Sequence, residues 1–292
     1  MKNSMSFKEN KIHGSPLYAF EMYKMNCTGS NLIVTPHWHD ETEIIYVLDG
    51  EISISVNGNR YSGEKGDIFV VNKGEIHEIL SGYNGAAYDA FVFDLKSMLF
   101  AAEDLAQKKF LEPVNSGEVL FKNKISDNCK MREILEHIKD INENHTYSYT
   151  LMTKALILQL IAMLFDDKQY CEEKINSAKE NKYALQKQII TYIRENLSSR
   201  ITLDETARRF NMSSKYFCRF FKNNFHKTLV EYITSVRMEK ALELLSDTDM
   251  SVTDIALECG FSNMSYFAQT FRTSVGVSPR EYRNILLKEQ GR

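Results

Sequence analysis

Three histidines and one glutamate in the N-terminal third of this 292-residue chain are of types and spacing that could do chemistry. His37 and His39 stand two residues apart, Glu43 follows four further on, and His77 comes after Gly66 and Gly74 in a second segment. On an extended strand, residues separated by even steps share a face, so His37, His39 and Glu43 have the same parity. Three imidazoles and a carboxylate suit two tasks: ligating a divalent transition metal, or lining an inward-facing polar pocket for a small molecule. The effector pocket is the expectation here, formed by His37, Trp38, His39, Glu43 and His77 without metal or other cofactor. Metal ligation by His37, His39, Glu43 and His77 is the alternative, and a purely structural role a third. Tyr46, Arg60 and Tyr88 are further candidates to reach that pocket, and their orientation stays open. Catalytic Ser/His or Cys/His arrangements, phosphate-binding Gly loops and paired acid–base carboxylates do not appear as motifs, so the expectation is a non-enzyme.

A second set of chemistry-bearing residues lies inside an internal repeat. Segment 203–222, LDETARRFNMSSKYFCRFFK, resembles 252–272, VTDIALECGFSNMSYFAQTFR. Ala207 matches Ala256 at an offset of 49 residues. Tyr216-Phe217 and Phe221-Lys222 match Tyr266-Phe267 and Phe271-Arg272 at 50, as Glu231-Tyr232 matches Glu281-Tyr282. A repeat that keeps apolar anchors and changes other residues marks two copies of one supersecondary unit. Each copy reads as a short helix, a turn and a second helix. In the second copy Ser251 caps the first helix, Gly260 supplies the positive φ that ends it, and Ser262 or Asn263 caps the next. Phe217/Phe221 and Phe267/Phe271, at i and i+4, must then point into a core.

The faces opposite those anchors carry Lys215, Cys218, Arg219 and Lys222 in one copy, and Ser265, Ala268, Gln269 and Arg272 in the other. Arg pairs with guanine edges in a DNA major groove, Gln with adenine, and flanking Lys or Arg with phosphate. The candidate DNA-contacting residues are Ser213, Ser214, Lys215, Cys218, Arg219 and Lys222, with Asn263, Met264, Ser265, Gln269 and Arg272. Arg219 and Gln269 are the expected base readers.

Two kinds of element must position these groups. Residues 17–95 read as β-structure, with runs IIYVL (44–48), ISISV (52–56) and DIFVV (67–71) between turn signals at Asp49-Gly50, Asn57-Gly58 and Gly82. Strict alternation from Ile52 to Val56 followed by Asn57-Gly58 predicts a hairpin. Several short antiparallel strands imply a small barrel or sandwich. Beyond residue 96 the period becomes helical: Met131, Ile134, Leu135, Ile138 and Ile141 form one amphipathic stripe. A second helix over 149–165 has a stripe of Leu151, Ala155, Leu158, Ala162 and Phe165, with apolar residues on its other faces too. Burial against the β-domain and a subunit interface both fit it. The charged run 166–182 reads as a linker.

Composition narrows the class. Hydrophobic residues make up 43% of the chain and charged residues 26%, while only 13 Gly and 4 Pro are present, which excludes long disordered or collagen-like stretches. Residues 183–292 carry 16 Lys and Arg against 12 Asp and Glu, a net of +4; the remainder carries 20 against 27, a net of −7. That asymmetry suggests only the C-terminal part meets a polyanion. No apolar run approaches the ~20 residues of a bilayer span, and the N-terminal residues lack the apolar core of a signal peptide. Five scattered Cys with no CxxC pair fit a reducing compartment. A cytoplasmic protein without a membrane is expected.

At the repeat a family resemblance becomes plain. Residues 184–290 resemble the DNA-binding domain of the AraC family of bacterial transcription regulators. The second copy's D-I-A-x-x-x-G-F-x-x-x-S-Y-F-x-x-x-F-R and the closing G-V-S-P-R-E-Y-R (276–283) match that family's signature. The resemblance implies seven helices, with a long central helix at about 229–245 holding two recognition helices near one turn of B-DNA apart. His37 through Gly50 follows the cupin spacing HxHx3Ex6G, and Gly66 to His77 resembles the second cupin motif, with Asn72 where Pro is usual. Members of the family commonly carry a cupin-type sensory barrel that binds a small effector, often a sugar, and Trp38 could stack on such a ring.

The resulting expectation is an α+β multidomain chain. It comprises a cupin-like effector-binding β-barrel (6–96), a helical dimerisation segment (97–166), a linker (167–182) and an all-α DNA-binding domain (183–292). The last contains two helix-turn-helix units, 203–225 and 252–274. The expected function is a sequence-specific DNA-binding regulator that responds to a small effector and works as a homodimer on double-stranded DNA, with RNA polymerase as a further partner. The alternatives are a metal-dependent cupin enzyme fused to a DNA-binding domain, and a regulator with no effector.

Overall fold

The computed structural model describes residues 13–15, 17–27, 32–101, 104–126, 128–172 and 177–289. The expected barrel's residues 6–12, the linker's 173–176 and the C-terminal 290–292 lie outside the described residues. The described chain divides into two compact units, one of residues 13–27 and 37–183, the other of 32–36 and 184–289.

The strands are β1 (Phe20–Cys27), β2 (Leu32–His37), β3 (Thr42–Val56), β4 (Asn59–Glu64), β5 (Ile68–Val71), β6 (His77–Phe93), β7 (Val119–Phe121), β8 (Lys124–Ile125) and β9 (Tyr170–Glu172). The main sheet of the first unit runs β1-β6-β3-β5-β8 with antiparallel neighbours, and β4 pairs with the far half of β3. Asn57-Gly58 forms the expected two-residue hairpin, closed by the Val56–Asn59 pair, with φ of 49° and 83°. Both values are what a type I′ turn demands.

The other expected turns are not turns. β3 passes straight through Asp49-Gly50, and β6 passes through Gly82. The chain absorbs Asp49-Gly50 as an irregularity: the β3–β6 register shifts between Val47 and Asp49 and again between Gly50 and Ile52, with Gly50 at φ 71°. A Gly at positive φ serves a bulge as readily as a turn. A Cβ there would lie 2.3 Å from the Gly85 carbonyl oxygen, so the close strand approach itself requires Gly.

Between the strands lies α1 (Glu112–Ser116), and two long helices, α2 (Cys129–Glu143) and α3 (Tyr149–Asp166), complete the first unit's core. Phe20, Ile44, Ile68, Val70, Phe91 and Phe93 of the sheet cluster with the buried faces of both helices. Each such side chain contributes about 1.5–3 kcal/mol by burial. The α2 stripe of Met131, Ile134, Leu135, Ile138 and Ile141 is buried as expected. In α3 the buried face is Thr153, Leu156, Ile157, Leu160, Ile161 and Leu164. Leu151, Ala155 and Ala162 of the expected stripe are exposed. A helix apolar all round carries no periodic signal for which side turns inward. By length and composition α3 is also the one helix among the described residues long and apolar enough to cross a membrane, contrary to the sequence expectation. The charged run 166–182 is not simply a linker, because it supplies β9, which pairs with β7, and the start of the next helix.

The second unit is helical: α4 (Ser177–Glu195), α5 (Leu203–Arg209), α6 (Ser214–Phe225), α7 (Leu229–Asp247), α8 (Val252–Glu258), α9 (Met264–Val275) and α10 (Pro279–Glu289). These seven, among the described residues, match the number that the resemblance implies.

Candidate functional site

The two copies of the repeat are α5–α6 and α8–α9, each a short helix, a turn and a longer helix. Capping sets their starts. The Ser213 side chain accepts a hydrogen bond from the Tyr216 amide at 3.3 Å, and Asn263 accepts from the Tyr266 amide at 2.9 Å. Ser251 likewise accepts from the Asp254 amide, so it is Asn263 and Ser251 that cap the second copy. Left-handed residues set the turns. Gly260 has φ 82°, and its counterpart in the first copy is Asn211 at 55°. After Gly, Asn is among the residues that visit that region most readily.

The repeat's other matched positions also have mechanical roles. The Glu231-Tyr232 and Glu281-Tyr282 pairs open α7 and α10. Each Glu accepts from the amide of the residue that caps it, Thr228 at 2.7 Å and Ser278 at 2.8 Å, completing a capping box. Those hydrogen bonds hold both carboxyls below the usual carboxylate range. Each Tyr packs edge-on against a Phe anchor, Tyr232 on Phe221 at 5.5 Å and Tyr282 on Phe271 at 5.8 Å. The N-terminal part of α7 thus serves the first copy, while its Met238, Ala241 and Leu245 share a core with Phe267 and Phe271 of the second. One helix of 19 residues, roughly 28 Å long, braces both copies.

Phe217, Phe221, Phe267 and Phe271 are buried to 1% exposure or less. The residues opposite them are all exposed: Lys215, Cys218, Arg219 and Lys222 on α6, and Ser265, Ala268, Gln269 and Arg272 on α9. Ser213 and Asn263 are exposed caps. Ser214 is half-buried and donates its hydroxyl to Asp204 at 2.5 Å, tying α6 to α5. Met264 is half-buried against the second core. Those two face inward more than the sequence suggested. Tyr216, which the repeat pairs with the Phe217 anchor, is half exposed, and the Arg219 guanidinium lies 5.8 Å from its ring centre. A cation on an aromatic face is partly pre-oriented.

In the sheet unit His37, His39, Glu43 and His77 converge. All four are buried, and their nitrogen and oxygen ligand atoms lie within 4.8 Å of one another. His37 ends β2, His39 sits in the following loop, Glu43 is on β3 and His77 opens β6. Glu43 Oε2 is 3.2 Å from His39 Nε2 and 2.9 Å from His77 Nε2. Burial pushes the Glu43 carboxyl up, but the two imidazoles outweigh it and hold the group well below the usual carboxylate range. Each of these rings turns its other nitrogen to a backbone carbonyl: His39 Nδ1 to Glu41 and His77 Nδ1 to Glu75, both at 3.1 Å.

Trp38, between His37 and His39 in the chain, is buried. Tyr88 is buried, and burial followed by the Glu43 charge raises its phenol well above the usual range. Arg60 reaches toward Glu78 at 3.9 Å, and Tyr46 packs against the helical core, so neither joins the cluster. His13, which no spacing singled out, packs edge-on to His39 at 5.3 Å. Asn72 has a job of its own. Its side chain accepts from the Phe121 amide at 2.8 Å and donates to the Phe121 carbonyl at 2.9 Å, fastening β7 beside the cluster's second segment.

A family model described as a helix-turn-helix domain matches residues 206–285, and one described as an AraC-like ligand binding domain matches 29–161. The chain is 25% identical over 291 residues to the melibiose operon regulatory protein of Escherichia coli, covering 96% of this chain and 95% of that protein. It is 24% identical over 257 residues to the HTH-type transcriptional activator RhaS of Mannheimia succiniciproducens, covering 86% and 90%. Its fold is similar to that of apo ToxT from Vibrio cholerae, with a TM-score of 0.52 at 12% identity over 94% of this chain and 100% of that one. Two helix-turn-helix units behind a sheet-rich ligand-binding domain define a DNA-binding transcription regulator. The chain belongs to the AraC family of such regulators.

Proposed function

We propose that the chain recognises a specific operator with α6 and α9 in successive major grooves. Arg219 and Gln269 read base edges there, Lys215, Lys222 and Arg272 meet phosphates, and Ser213, Cys218, Asn263 and Ser265 lie along the same surface. The observation that carries this reading is the pair of capped helices with buried Phe anchors and outward donors, both braced on α7. Ser214 and Met264 then support the two reading helices more than they touch DNA.

The sheet unit binds the effector near His37, Trp38, His39, Glu43 and His77. A sugar or related metabolite is the class favoured by the name of one relative, which regulates a melibiose operon. The protein acts in the cytoplasm as a homodimer, for which α3 offers an apolar face with Leu151 70% exposed. RNA polymerase is its partner at the promoter.

Arg219→Ala and Gln269→Ala test the DNA reading by gel shift. Each should cost about 1–3 kcal/mol on the cognate site, relax preference at one base pair and leave random DNA unchanged. Equal losses on cognate and random DNA would reduce both residues to phosphate contacts.

A further inference from the structure

A tyrosine stands at the same repeat position in the first turn of α6 and of α9, yet the two copies surround it differently. Tyr216 and Tyr266 are 49% and 51% exposed, each one residue before a buried Phe anchor. Tyr266 has Phe261 as its neighbour, a buried ring 6.1 Å away that also carries the Arg237 guanidinium at 5.6 Å. It therefore leans on the turn that joins α8 to α9. In the first copy Met212 stands where Phe261 does and offers no ring. Tyr216 turns instead along its own helix. Its ring stacks on Phe220 at 6.4 Å and 27°, and the Arg219 guanidinium lies 5.8 Å from its centre. The second copy has Thr270 and Gln269 at those two positions.

Three neighbours thus change together, and what they build in the first copy is a seat for a cation. A long helical side chain leans toward the helix N-terminus, so Arg219 folds back over the turn on which Tyr216 sits. An exposed arginine samples many rotamers, and ordering it on a base opposes binding. A ring beside the guanidinium restricts that sampling before DNA arrives. Stacking occupies the guanidinium's face and leaves its in-plane N–H donors free for a bidentate pair with guanine. An arginine released from the ring reaches phosphates as readily, and phosphates carry no sequence information.

We propose that Tyr216 is a positioning residue that fixes Arg219 for base reading, whereas Tyr266, at the same repeat position, only supports the fold of its copy. The proposal rests on the role given above to Arg219 as a base reader. Discrimination in the α6 half of the site then depends on a side chain that touches no base. The attraction of a cation to an exposed ring corresponds to about 2–5-fold in that discrimination.

The test uses the full chain, the duplex that it selects from a random DNA pool with each base pair changed in turn, and a random duplex. Arg219→Ala marks the base pair that Arg219 reads. Tyr216→Leu should lower the preference at that same base pair by about 2–5-fold and leave the other base pairs and random DNA unchanged. Tyr216→Phe keeps the ring and should retain the preference. Tyr266→Leu should lower the melting temperature and leave every base preference as it was. A Tyr216→Leu chain that discriminates normally at the marked base pair would overturn the proposal. A loss spread over all base pairs would do the same, since it marks a structural residue. So would weaker binding of cognate and random DNA alike in both Tyr216 variants, which marks a phosphate contact through the hydroxyl. If Arg219→Ala erases no preference, the base-reading role falls and this inference with it. If it erases one that Tyr216→Leu keeps, only this inference falls.

Discussion

Gly260→Ala and Gly276→Ala form a matched pair that isolates one packing contact in the second DNA-binding unit. Both glycines lie in the left-handed region, at φ 82° and 88°, and each follows a helix of the second copy. An L-residue there costs about 1–2 kcal/mol in backbone strain. At Gly276 a Cβ meets nothing within 4 Å, so the strain is the whole expected effect. At Gly260 the Cβ would stand 2.2 Å from the Leu197 carbonyl oxygen and 2.8 Å from Arg237 Nη2. Arg237 donates to that same carbonyl at 3.1 Å and to the Ser199 carbonyl at 2.8 Å, so relieving the clash must disturb the link between α4 and α7. Each hydrogen bond from a charged donor is worth about 1.5–3 kcal/mol. Losing one on top of the strain gives about 2.5–5 kcal/mol for Gly260→Ala, against about 1–2 for Gly276→Ala. Urea unfolding followed by helical circular dichroism measures both. Footprinting of the Gly260 variant should show the α9 half of the site weakened before the α6 half. Costs equal to within about 0.5 kcal/mol, the usual scatter of independent sites, would refute the contact.

Other outcomes follow from the same geometry. Operator affinity should fall steeply with salt, by roughly 0.9 log unit per neutralised phosphate for each log unit of salt; a flat response would contradict a groove-bound basic face. Burial pushes the Cys259 thiol up to about 11, so at pH 8 an alkylating reagent should modify exposed Cys129, Cys171 and Cys218 but reach Cys259 only in denaturant. Because that thiol is raised in the folded chain, its contribution to stability is full below the unfolded value of about 8.5 and lost as pH climbs through about 11. Unfolding free energies measured across that window should therefore decline. A saturating effector should stabilise the sheet unit by about 2.7 kcal/mol at a hundred times Kd, and Glu43→Gln should abolish the shift. A normal response in that variant would place the pocket elsewhere.

The DNA-binding unit was legible because its anchors recur. Phe217, Phe221, Phe267 and Phe271, the caps and Gly260 each carry a local signal, and the repeat says it twice. The counterpart of Gly260 was harder, since Asn211 reaches the same left-handed backbone without being Gly. In the sheet, Gly50 and Gly82 read as turns because composition does not distinguish a bulge in a long strand from a hairpin; only the pairing of β3 with β6 does. The buried side of α3 was illegible for want of polar residues to mark the outer one. At the histidine cluster the side chains were found by spacing, but the Glu41 and Glu75 carbonyls against which two of the rings are set are recorded by no side-chain pattern. His13 comes from a segment with no motif at all.

Selection of duplexes from a random DNA pool by the full chain tests the central claim most directly. The geometry predicts enrichment of a bipartite site, its halves centred about 10–10.5 base pairs apart and bound at least about 10³-fold more tightly than random DNA. Arg219→Ala should erase preference in one half and Gln269→Ala in the other. A pool that emerges without a shared sequence, bound no better than it began, would contradict the account.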